Sequence, residues 1–438
     1  MVSDMTSLAS YTEMKDSGIH WMGIIPKHWD IQKAKFHFTQ TNTRGNGTPI
    51  LLAASQKYGV CPQSWLEGVV QISENTDLQQ FKTVHKNDFV ISLRSFQGGF
   101  ERSDFEGVCS PAYQVFHADD LFNNDYLKYL FKNELFIDEM NSLTVGIREG
   151  RNIKYDDFAN SLIFIPPLNE QSTIAAYLDN QCAKIDEIIA EVQAGIEDYK
   201  QWKAAIIYEA VTKGLDPNVE MKDSGVEWIG KIPAKWTTCS LKHLTTKIGS
   251  GKTPSGGAEV YTTEGILFLR SQNVYNTGLE LDAASYISAE IDAGMTNTRV
   301  QYHDVLLNIT GGSIGRCCLY NLLDTPANVN QHVCILRTDK NQLLPQYLRY
   351  FWNSASGPMV ISQYQTGGNR PGLNFEQIGS TKIPFCSLTE QKSIIEFLDN
   401  RCTRIDMLVK EKESLIADLE AYKKSLIYEV VTGKKRVC

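Results

Sequence analysis

Two glycine-rich segments of this chain are the parts whose residues most resemble a site for phosphate chemistry. The segment GSGKTP, at residues 249–254, carries the Gly-Lys-Thr that ends a nucleotide-binding phosphate loop. Such a loop needs the pattern G-x-x-x-x-G-K-[ST], and Thr246 occupies the position of its first glycine. We therefore predict a glycine-rich turn before a strand. The segment TGGSIG, at 310–315, lacks the dinucleotide-binding spacing and predicts a tight turn after a strand, or a close backbone approach to a phosphate.

Residue types that carry out catalysis are not grouped in a recognisable pattern. The eight histidines are scattered, and neither an H-E-x-x-H zinc motif nor a G-x-S-x-G nucleophile motif occurs. The segment IPPL, at 165–168, lacks the asparagine and the aromatic residue of the catalytic N-P-P-Y loop of amino-methyltransferases. The sequence therefore predicts no catalytic residue, no metal site and no cofactor.

Basic side chains in loops rich in Gly, Asn, Gln and Ser are the candidates for contacts to DNA. Loops of this composition can bring side chains to base edges and phosphates. In the first half of the chain the basic candidates are Arg94, Arg102, Arg148, Arg151 and Lys154. In the second half they are Lys252, Arg270, Arg316 and Arg370, and the uncharged Asn273 is a further candidate. The alternative for each is an ordinary solvated side chain.

The composition is that of a folded protein with at least two cores. Hydrophobic residues make up 42% of the 438 residues, and no apolar run is long enough for a membrane span. The net charge of −8 argues against a generally basic, non-specific binder of nucleic acid. The ten cysteines include no C-x-x-C pair, and we interpret them as small apolar fillers in a reducing cytoplasm.

An internal repeat organises the chain. Residues 14–29 and 221–236 are identical at ten of 16 positions at an offset of 207, and residues 168–214 align with 388–434 without a gap at an offset of 220. Each copy therefore consists of a short Trp-Pro-Trp segment, a variable globular part and a helix. The predicted boundaries are a first globular part at 1–165, a central helix at 166–213, a linker at 214–220, a second globular part at 221–384 and a C-terminal helix at 385–438.

Each globular part has the pattern of a mixed α+β fold. Residues 89–94, 266–271, 305–310 and 332–337 predict buried strands, whereas 125–140 and 345–354 predict helices. The two parts share a sparse set of equivalent residues and differ elsewhere. We therefore expect one scaffold with two different surfaces, which would suit two related but different ligands.

The two helices carry a 4-3 heptad pattern over about five heptads, with Asn169 and Thr389 as predicted N-caps. In the first copy the apolar positions are Leu178, Ile185, Val192, Tyr199 and Ile206, with Cys182, Ile189, Ile196, Lys203 and Ala210 four residues on. Lys203, Lys412 and Lys423 interrupt the pattern, and we expect them to extend toward solvent. The two helices can pair with each other in antiparallel orientation about a pseudo-twofold axis; the alternative is homodimerisation.

These repeated motifs resemble the specificity subunit of type I restriction-modification systems. The matching elements are the two copies of MKDSG-x-x-W-x-G-x-IP-x-x-W and the two copies of the EQ…LD…C…ID…YE-x-VT helix. The resemblance spans nearly the whole chain. It implies two target-recognition domains that each read one half of a bipartite DNA sequence, separated by two long antiparallel helices.

The resemblance also implies partners. Two modification (methyltransferase) subunits would dock on the repeated segments, restriction subunits would join them, and this chain would be a non-catalytic, cytoplasmic, DNA-binding subunit. The docking candidates are Trp21, Trp29, Glu170, Gln171, Trp228, Trp236, Glu390 and Gln391. For the four tryptophans the alternative is a place in the cores. Two other functions remain open, an enzyme whose motifs are unrecognised and a coiled-coil scaffold that binds only proteins.

Overall fold

The computed structural model describes residues 9–45, 50–66, 78–93, 98–143, 153–254, 256–282, 284–365 and 372–437. The chain forms two compact units. The first comprises Met1–Val192 together with Ser414–Cys438, and the second comprises Gln193–Glu413. Two long helices each supply residues to both units.

The first unit is built on two four-stranded sheets. Its described strands are β1 Met14–Asp16, β2 Ile24–Pro26, β3 Asp30–Lys33, β4 Phe38–Thr41, β5 Leu51–Ser55, β6 Gly59–Pro62, β7 Lys82–Val84, β8 Phe89–Ile91, β9 Glu101–Arg102, β10 Gly107–Cys109, β11 Gln114–Ala118 and β12 Leu162–Ile165. The sheet orders are β6-β5-β10-β7 and β4-β11-β8-β9, and β1-β2 and β12-β3 form two-stranded pairs. Among the described residues of this unit, the shorter α-helices are α1 Asn124–Leu130, α2 Glu134–Ser142 and α3 Tyr155–Asn160.

The first long helix, α4, runs from Leu168 to Lys213 and begins in this unit. The last described residues of the chain also pack here, because Ala9 and Arg436 form an antiparallel bridge and the Arg436 N–H donates to the Ala9 carbonyl at 2.7 Å. The core is rich in aromatic rings. Phe38, Phe100, Phe116 and Phe158 contact one another at centroid distances between 5.1 and 5.8 Å, a geometry that favours edge-to-face packing.

The second unit repeats the four-stranded sheet β4-β11-β8-β9 of the first unit and differs from it in the sheet that corresponds to β6-β5-β10-β7. Its described strands are β13 Met221–Asp223, β14 Lys231–Pro233, β15 Thr237–Ser240, β16 Thr245–Ser250, β17 Ile266–Leu269, β18 Val274–Tyr275, β19 Gly278–Leu279, β20 Ser285–Ile287, β21 Val305–Asn308, β22 Cys317–Leu319, β23 Ala327–Val329, β24 Val333–Thr338 and β25 Lys382–Phe385. The helices are α5 Ala289–Ala293, α6 Pro345–Asn353, α7 Ser356–Tyr364, α8 Phe375–Ser380 and the second long helix, α9 Leu388–Val431.

The order β16-β24-β21-β22 matches β4-β11-β8-β9 of the first unit, strand for strand. A parallel pair also recurs, since β17 pairs with β23 as β5 pairs with β10. Strand pairs β15-β25 and β12-β3 likewise correspond. The repeat seen at the ends of the two copies therefore extends through their dissimilar globular parts, and the predicted fold class is confirmed.

The predicted strands are present, although most are shorter than predicted. The predicted helix at 125–140 is wrong in one respect, because it is two helices. The Asn133 side chain accepts a hydrogen bond from the Leu135 N–H at 2.9 Å and so starts α2 after the chain has left α1. The segment 249–254 also differs from its prediction, since Gly249 and Ser250 are the last residues of β16.

Within each unit the long helices pair through the predicted heptad positions. In the first unit Leu178, Cys182 and Ile185 of α4 share a core with Leu426 and Val430 of α9. In the second unit Lys203 contacts Asp406, and Tyr199 lies against Lys412. Contacts that advance along α4 therefore retreat along α9, so the predicted antiparallel pairing within the chain is observed.

The seam lysines do not extend toward solvent as expected. The Lys203 ammonium donates to both carboxylate oxygens of Asp406 at 2.6 and 2.7 Å. In the first unit Lys423 makes the equivalent contact to Asp186, at 2.7 Å to each oxygen. Both lysines and both aspartates are related by the offset of 220, so the two ion pairs are copies of one interaction.

The predicted N-caps are wrong by two residues. The helices begin at Leu168 and Leu388, before Asn169 and Thr389. At the start of α9 the Ser387 hydroxyl accepts from the Glu390 N–H at 3.3 Å, and the Glu390 carboxylate accepts from the Ser387 N–H at 3.2 Å. This reciprocal pair is a capping box; in the first copy Pro167 stands where Ser387 stands in the second.

Candidate nucleic-acid interface

The repeated Trp and Glu residues of the first unit form one hydrogen-bonded cluster. The Trp29 indole Nε1–H donates to Glu170 at 3.0 Å, and the Tyr11 hydroxyl donates to the same oxygen at 2.9 Å. His28 Nε2 lies 2.6 Å from the other carboxylate oxygen. Burial acts to raise the pKa of Glu170, but the hydrogen bonds from Trp29, His28 and Tyr11 outweigh it and the net pKa is lowered.

The second unit repeats this contact with fewer partners. The Trp236 indole Nε1–H donates to Glu390 at 3.0 Å, and the other oxygen of that carboxylate belongs to the capping box with Ser387. Burial again opposes the shift, while hydrogen bonds from Trp236 and Ser387 lower the pKa of Glu390. In both copies the carboxylate thus fixes the start of a long helix to the Trp-Pro-Trp segment.

The glutamines that follow these two glutamates, Gln171 and Gln391, form hydrogen bonds to backbone groups within their own unit. Gln171 accepts from the Asn123 N–H at 2.7 Å and donates to the carbonyls of Leu121 and Pro166. Gln391 makes the same three bonds in the second unit, accepting from the Leu344 N–H and donating to the carbonyls of Gln342 and Cys386. Both side chains are fully buried and use their amides completely within one unit.

The four repeated tryptophans are also buried, with exposures of 0 to 8%. Trp29 stacks on Phe164 at a centroid distance of 5.4 Å, and the Trp228 indole donates to the Lys382 carbonyl at 2.9 Å. The side chains of Trp21, Trp29, Trp228, Trp236, Gln171 and Gln391 thus occupy core positions, which for the four tryptophans is the alternative to docking that the sequence left open. Glu170 is half-buried and Glu390 is exposed.

The described candidates for DNA contacts in the second unit lie near one end of its main sheet. Because adjacent strands are antiparallel, the end of β16, the start of β24, the end of β21 and the start of β22 meet there. The segments that leave this end are 251–254, 309–316 and 330–332, and we call them the loop end of the sheet. The Asn330 N–H donates to the Leu269 carbonyl at 3.0 Å, which brings the residues after β17 to the same end.

Lys252 and Arg316 lie at this loop end. Lys252 is exposed, and the Arg316 guanidinium carbon is 4.5 Å from the centre of the Tyr275 ring. A guanidinium stacked on an aromatic ring is held in place while its N–H groups stay available. These two residues therefore have the placement that a contact to DNA needs. The predicted tight turn at 310–315 is present as a short 3₁₀ helix, Gly311–Ser313, in which Gly311 has a φ of 71°.

Arg270 and Asn273 follow β17 but differ in their surroundings. Arg270 is half-buried beside Tyr261, with 5.2 Å between the guanidinium carbon and the ring centre. Asn273 is 2% exposed, accepts from the Arg270 N–H at 3.0 Å and donates to the Glu280 carbonyl at 2.9 Å. Asn273 therefore closes a turn with a buried amide, a placement less suited to DNA contact than that of Lys252 or Arg316.

In the first unit Lys154 has the most suitable placement among the described candidates. It is exposed, and its neighbours on either side are held by Gln114 at the start of β11, with bonds of 3.0 Å to the Ile153 carbonyl and 2.8 Å from the Tyr155 N–H. Arg102 instead pairs with both Asp104 and Asp125, which neutralise it. Arg94, Arg148, Arg151 and Arg370 lie outside the described residues.

Sequence reasoning missed a chain of polar side chains at the loop end of the second unit. The Thr253 hydroxyl lies 2.6 Å from Gln331 Oε1, Gln331 Nε2 lies 3.0 Å from His332 Nε2, and His332 Nδ1 lies 2.5 Å from the Thr310 hydroxyl. The signal available in the sequence was the polar triplet Asn330-Gln331-His332 directly before a buried strand.

Within the described ranges, no group of three or more His, Cys, Asp and Glu side chains is arranged to hold a metal ion. The nine described cysteines are free, and all but Cys239 are buried. Burial raises the pKa of Cys334 to about 12, so this thiol stays protonated. None of the helices in the described residues is long and apolar enough to cross a membrane.

Comparison with known proteins identifies the family. A family model for the type I restriction modification DNA specificity domain matches residues 29–198 and again residues 233–416. The two matches cover most of the chain, one in each copy of the repeat. The chain belongs to this family. The resemblance that the repeated motifs indicated is thereby confirmed.

Curated members of the specificity family match over most of their length. The chain is 27% identical to the type I restriction enzyme MjaVIII specificity subunit of Methanocaldococcus jannaschii over 362 residues, which are 81% of this chain and 80% of that protein. It is 22% identical to the EcoBI specificity subunit of Escherichia coli, across 91% of this chain and 82% of that one.

Solved structures show the same fold. One chain, from work on the complex assembly and conformational transition of the type I R-M system, matches with a TM-score of 0.69 at 14% identity and covers 93% of this chain and 98% of its own. The HsdS subunit from Thermoanaerobacter tengcongensis matches with a TM-score of 0.50 at 16% identity, with the same coverage of both chains.

Proposed function

We propose that this specificity-family chain selects the DNA sequence on which a type I restriction-modification system acts, and that each globular part reads one half of a bipartite target. The observation that carries the proposal is the duplicated sheet with different loops. The main four-stranded sheet has the same strand order in both units, whereas Gln331-His332 directly before β24 stands where Pro111-Ala112 stands before β11. One scaffold with two sets of loops suits two different half-sites.

Direct readout of the second half-site falls to the loop end of the second unit. Lys252 and Arg316 would contact phosphates there and fix the register, while uncharged polar side chains reach base edges. Lys154 has the corresponding role in the first unit. The acidic net charge of −8 is compatible with this reading if the partner subunits supply further contacts to the DNA backbone.

We assign the chemical steps on DNA, methyl transfer and cleavage, to partner subunits. Two modification subunits would transfer the methyl group and restriction subunits would cleave, since the sequence of this chain contains no recognisable catalytic motif. The complex would work in the cytoplasm. Methyl transfer from S-adenosylmethionine to DNA by this chain alone would contradict the assignment.

Docking of two modification subunits is supported by a pair of equivalent surface cavities. One, of about 630 Å³, lies in the second unit, and the other, of about 610 Å³, lies in the first. Their linings include equivalent residues, namely Glu220, Lys235, Thr389 and Glu390 in the second unit and Glu13, His28, Asn169 and Glu170 in the first. Two identical partners need two equivalent sites, and the repeat supplies them.

Exchange of one globular part tests the proposal. Residues 237–384 would be replaced by the corresponding part of a relative, and methylated adenines would be mapped across the genome of a host that carries the matching modification subunits. We expect one half of the methylated sequence to change and the other to stay. A control exchange of residues 30–165 should change only the other half. Changes in both halves after a single exchange would contradict independent reading.

A further inference from the structure

The polar chain at the loop end presents one side chain in a fixed orientation. Gln331 is exposed, yet its amide is bonded on both sides, with Oε1 2.6 Å from the Thr253 hydroxyl and Nε2 3.0 Å from His332 Nε2. In this orientation His332 accepts from the amide and donates from Nδ1 to Thr310. An exposed glutamine is normally free to rotate and loses conformational entropy when it binds a ligand. A glutamine whose amide is already held on both sides loses less.

The backbone beneath Gln331 is held as firmly. The Asn330 carbonyl accepts from the Gly251 N–H at 3.0 Å, and the Ile309 N–H donates to the His332 carbonyl at 3.0 Å. Gly251 has no room for a side chain, because a Cβ there would lie 1.5 Å from the Val329 carbonyl oxygen. The turn that carries Gln331 is therefore fixed to the segments on both sides of it.

The hydrogen bonds that the amide still has to offer define a ligand. After the bonds to Thr253 and His332, Gln331 retains one N–H donor and one oxygen lone pair in a single plane. Adenine presents the complementary pair in the major groove, with N7 as acceptor and the N6 amino group as donor. No other base edge in that groove offers an acceptor and a donor on the same base in this order.

We propose that Gln331 is a base-reading residue that selects adenine at one position of the half-site recognised by the second unit. Thr253 and His332 act as positioning residues that hold the amide in the reading orientation. The inference rests on the proposed function, since it assigns one residue of that recognition surface. Lys252 and Arg316, at the same end of the sheet, would contact the phosphates that set the register.

The test uses the complex of this chain with its modification subunits and a panel of duplexes that vary each base pair of the second half-site. We expect Gln331→Ala to lower discrimination at one position by about 10-fold to 100-fold, with every other position and the first half-site unchanged. Gln331→Glu should disfavour adenine there, because a carboxylate has no N–H for N7. Thr253→Val should give a smaller loss at that same position.

Atomic replacement in the DNA gives a second readout. Substitution of 7-deazaadenine at the assigned position removes the N7 acceptor and should weaken binding by the unmodified complex but cause no further loss with Gln331→Ala. Gln342→Ala is the matched control, because Gln342 is an exposed glutamine whose amide is bonded to Asp339 beyond the opposite end of β24. This variant should retain the full base preference.

The outcomes separate the inference from the proposed function. A native complex without preference at any base pair would contradict both. A native complex with clear preferences that Gln331→Ala and Gln331→Glu leave intact would overturn the inference alone. If the alanine variant fails to fold, the 7-deazaadenine series with Gln331→Glu decides, since equal losses for the native and variant complexes would place Gln331 away from the base.

Discussion

At the scale of single residues, the Glu-Gln dipeptide at the start of each long helix has two structural tasks. The glutamate accepts hydrogen bonds from the tryptophan of the same copy, and the glutamine bridges the last strand to the loop before a helix of the globular part. Buried polar groups of this kind are costly to leave unpaired. The repeated Glu-Gln dipeptide therefore marks the contact that holds each long helix to the globular part of its own copy.

Glu170→Gln should destabilise the first unit in a pH-dependent way. The carboxylate accepts from Tyr11 and Trp29, whereas an amide offers one oxygen and places N–H groups against donors, at a cost of about 1–3 kcal/mol. Because the folded pKa of Glu170 is lowered, its contribution is present above the ordinary pKa of 4.5 and is lost as the pH falls through the folded value.

Urea unfolding of both proteins at neutral and acidic pH measures this effect. The difference in free energy of unfolding should be largest at neutral pH and should shrink in acid, where the native carboxyl is protonated. Glu187→Gln, exposed on the same helix, is the control and should change little. A difference for Glu170→Gln that does not vary with pH would contradict the role of the charge.

Roles that depend on distant partners were beyond sequence reasoning at this scale. Gln331 is one of many polar residues in the sequence, and its partner Thr253 lies 78 positions away. Asn273 shared the polar surroundings of a base contact, yet its bonds to Arg270 and Glu280 form only once the turn has folded. The burial of Trp29 was an open alternative because a repeated aromatic suits a core and an interface equally.

At the scale of elements, the heptad pattern predicted the two long helices and their pairing because periodicity is a local property of the sequence. It could not predict that Lys203 and Lys423 find aspartates across the seam, which requires the register of the antiparallel pair. The division of 125–140 into α1 and α2 was missed for a similar reason. Its apolar residues keep a helical spacing on both sides of the polar run Lys132-Asn133-Glu134, and the Asn133 cap decides the outcome.

Charge reversal across the seam should reveal the Lys423–Asp186 pair. Lys423→Glu places a carboxylate next to that of Asp186, and their repulsion should lower the free energy of unfolding. Adding Asp186→Lys restores an opposite-charge pair and should recover most of the loss. The coupling energy should be about 0.2–1 kcal/mol, since both side chains are partly exposed.

The Lys203–Asp406 pair provides the matched comparison for this cycle. It occupies equivalent positions and has similar exposure, so the same reversal there should give a similar coupling. Denaturant unfolding of the native protein, the two single variants and the double variant of each cycle measures both values. A double variant no more stable than Lys423→Glu alone would show that the pair contributes nothing to the helix contact.

At the scale of the whole molecule, the duplication preserves the main sheet and the starts of the long helices. The sheets that contain β5 and β17 differ in strand number, and the residues before β24 and β11 differ in sequence. The repeat could be predicted from its matching ends. A shared scaffold was expected from the few equivalent residues of the two globular parts, but the strand order of the repeated sheet could not be predicted, because buried apolar residues exchange freely at similar volume and leave little identity to align.

Four residues inserted after Gly195 should change the spacing of the target. The insertion adds about 6 Å to α4 at the 1.5 Å rise of a helix, and DNA advances about 3.4 Å per base pair. If helix length sets the gap between half-sites, the preferred gap should grow by one or two base pairs with both half-site sequences unchanged.

Methylation mapping of this insertion variant measures the gap directly. A two-residue insertion is the control, since it rotates the remainder of α4 by about 200° and should abolish activity. Because four residues do not match a heptad, some stability should be lost through a shifted seam. Activity of the four-residue variant on the original gap would contradict the role of the helices as a spacer.

The bridge between Ala9 and Arg436 has a topological consequence. Residue 9 advanced by the first offset of 207 and residue 436 reduced by the second offset of 220 both arrive at position 216, in the segment that joins α4 to β13. The two ends of the described chain therefore lie side by side, at positions that correspond in the repeat to the junction between α4 and β13. In a circular permutant, residue 436 would be fused to residue 10 and the chain opened between Asp216 and Pro217. This permutant should fold and direct methylation to the unaltered target. A permutant opened inside β24 should neither fold nor direct methylation.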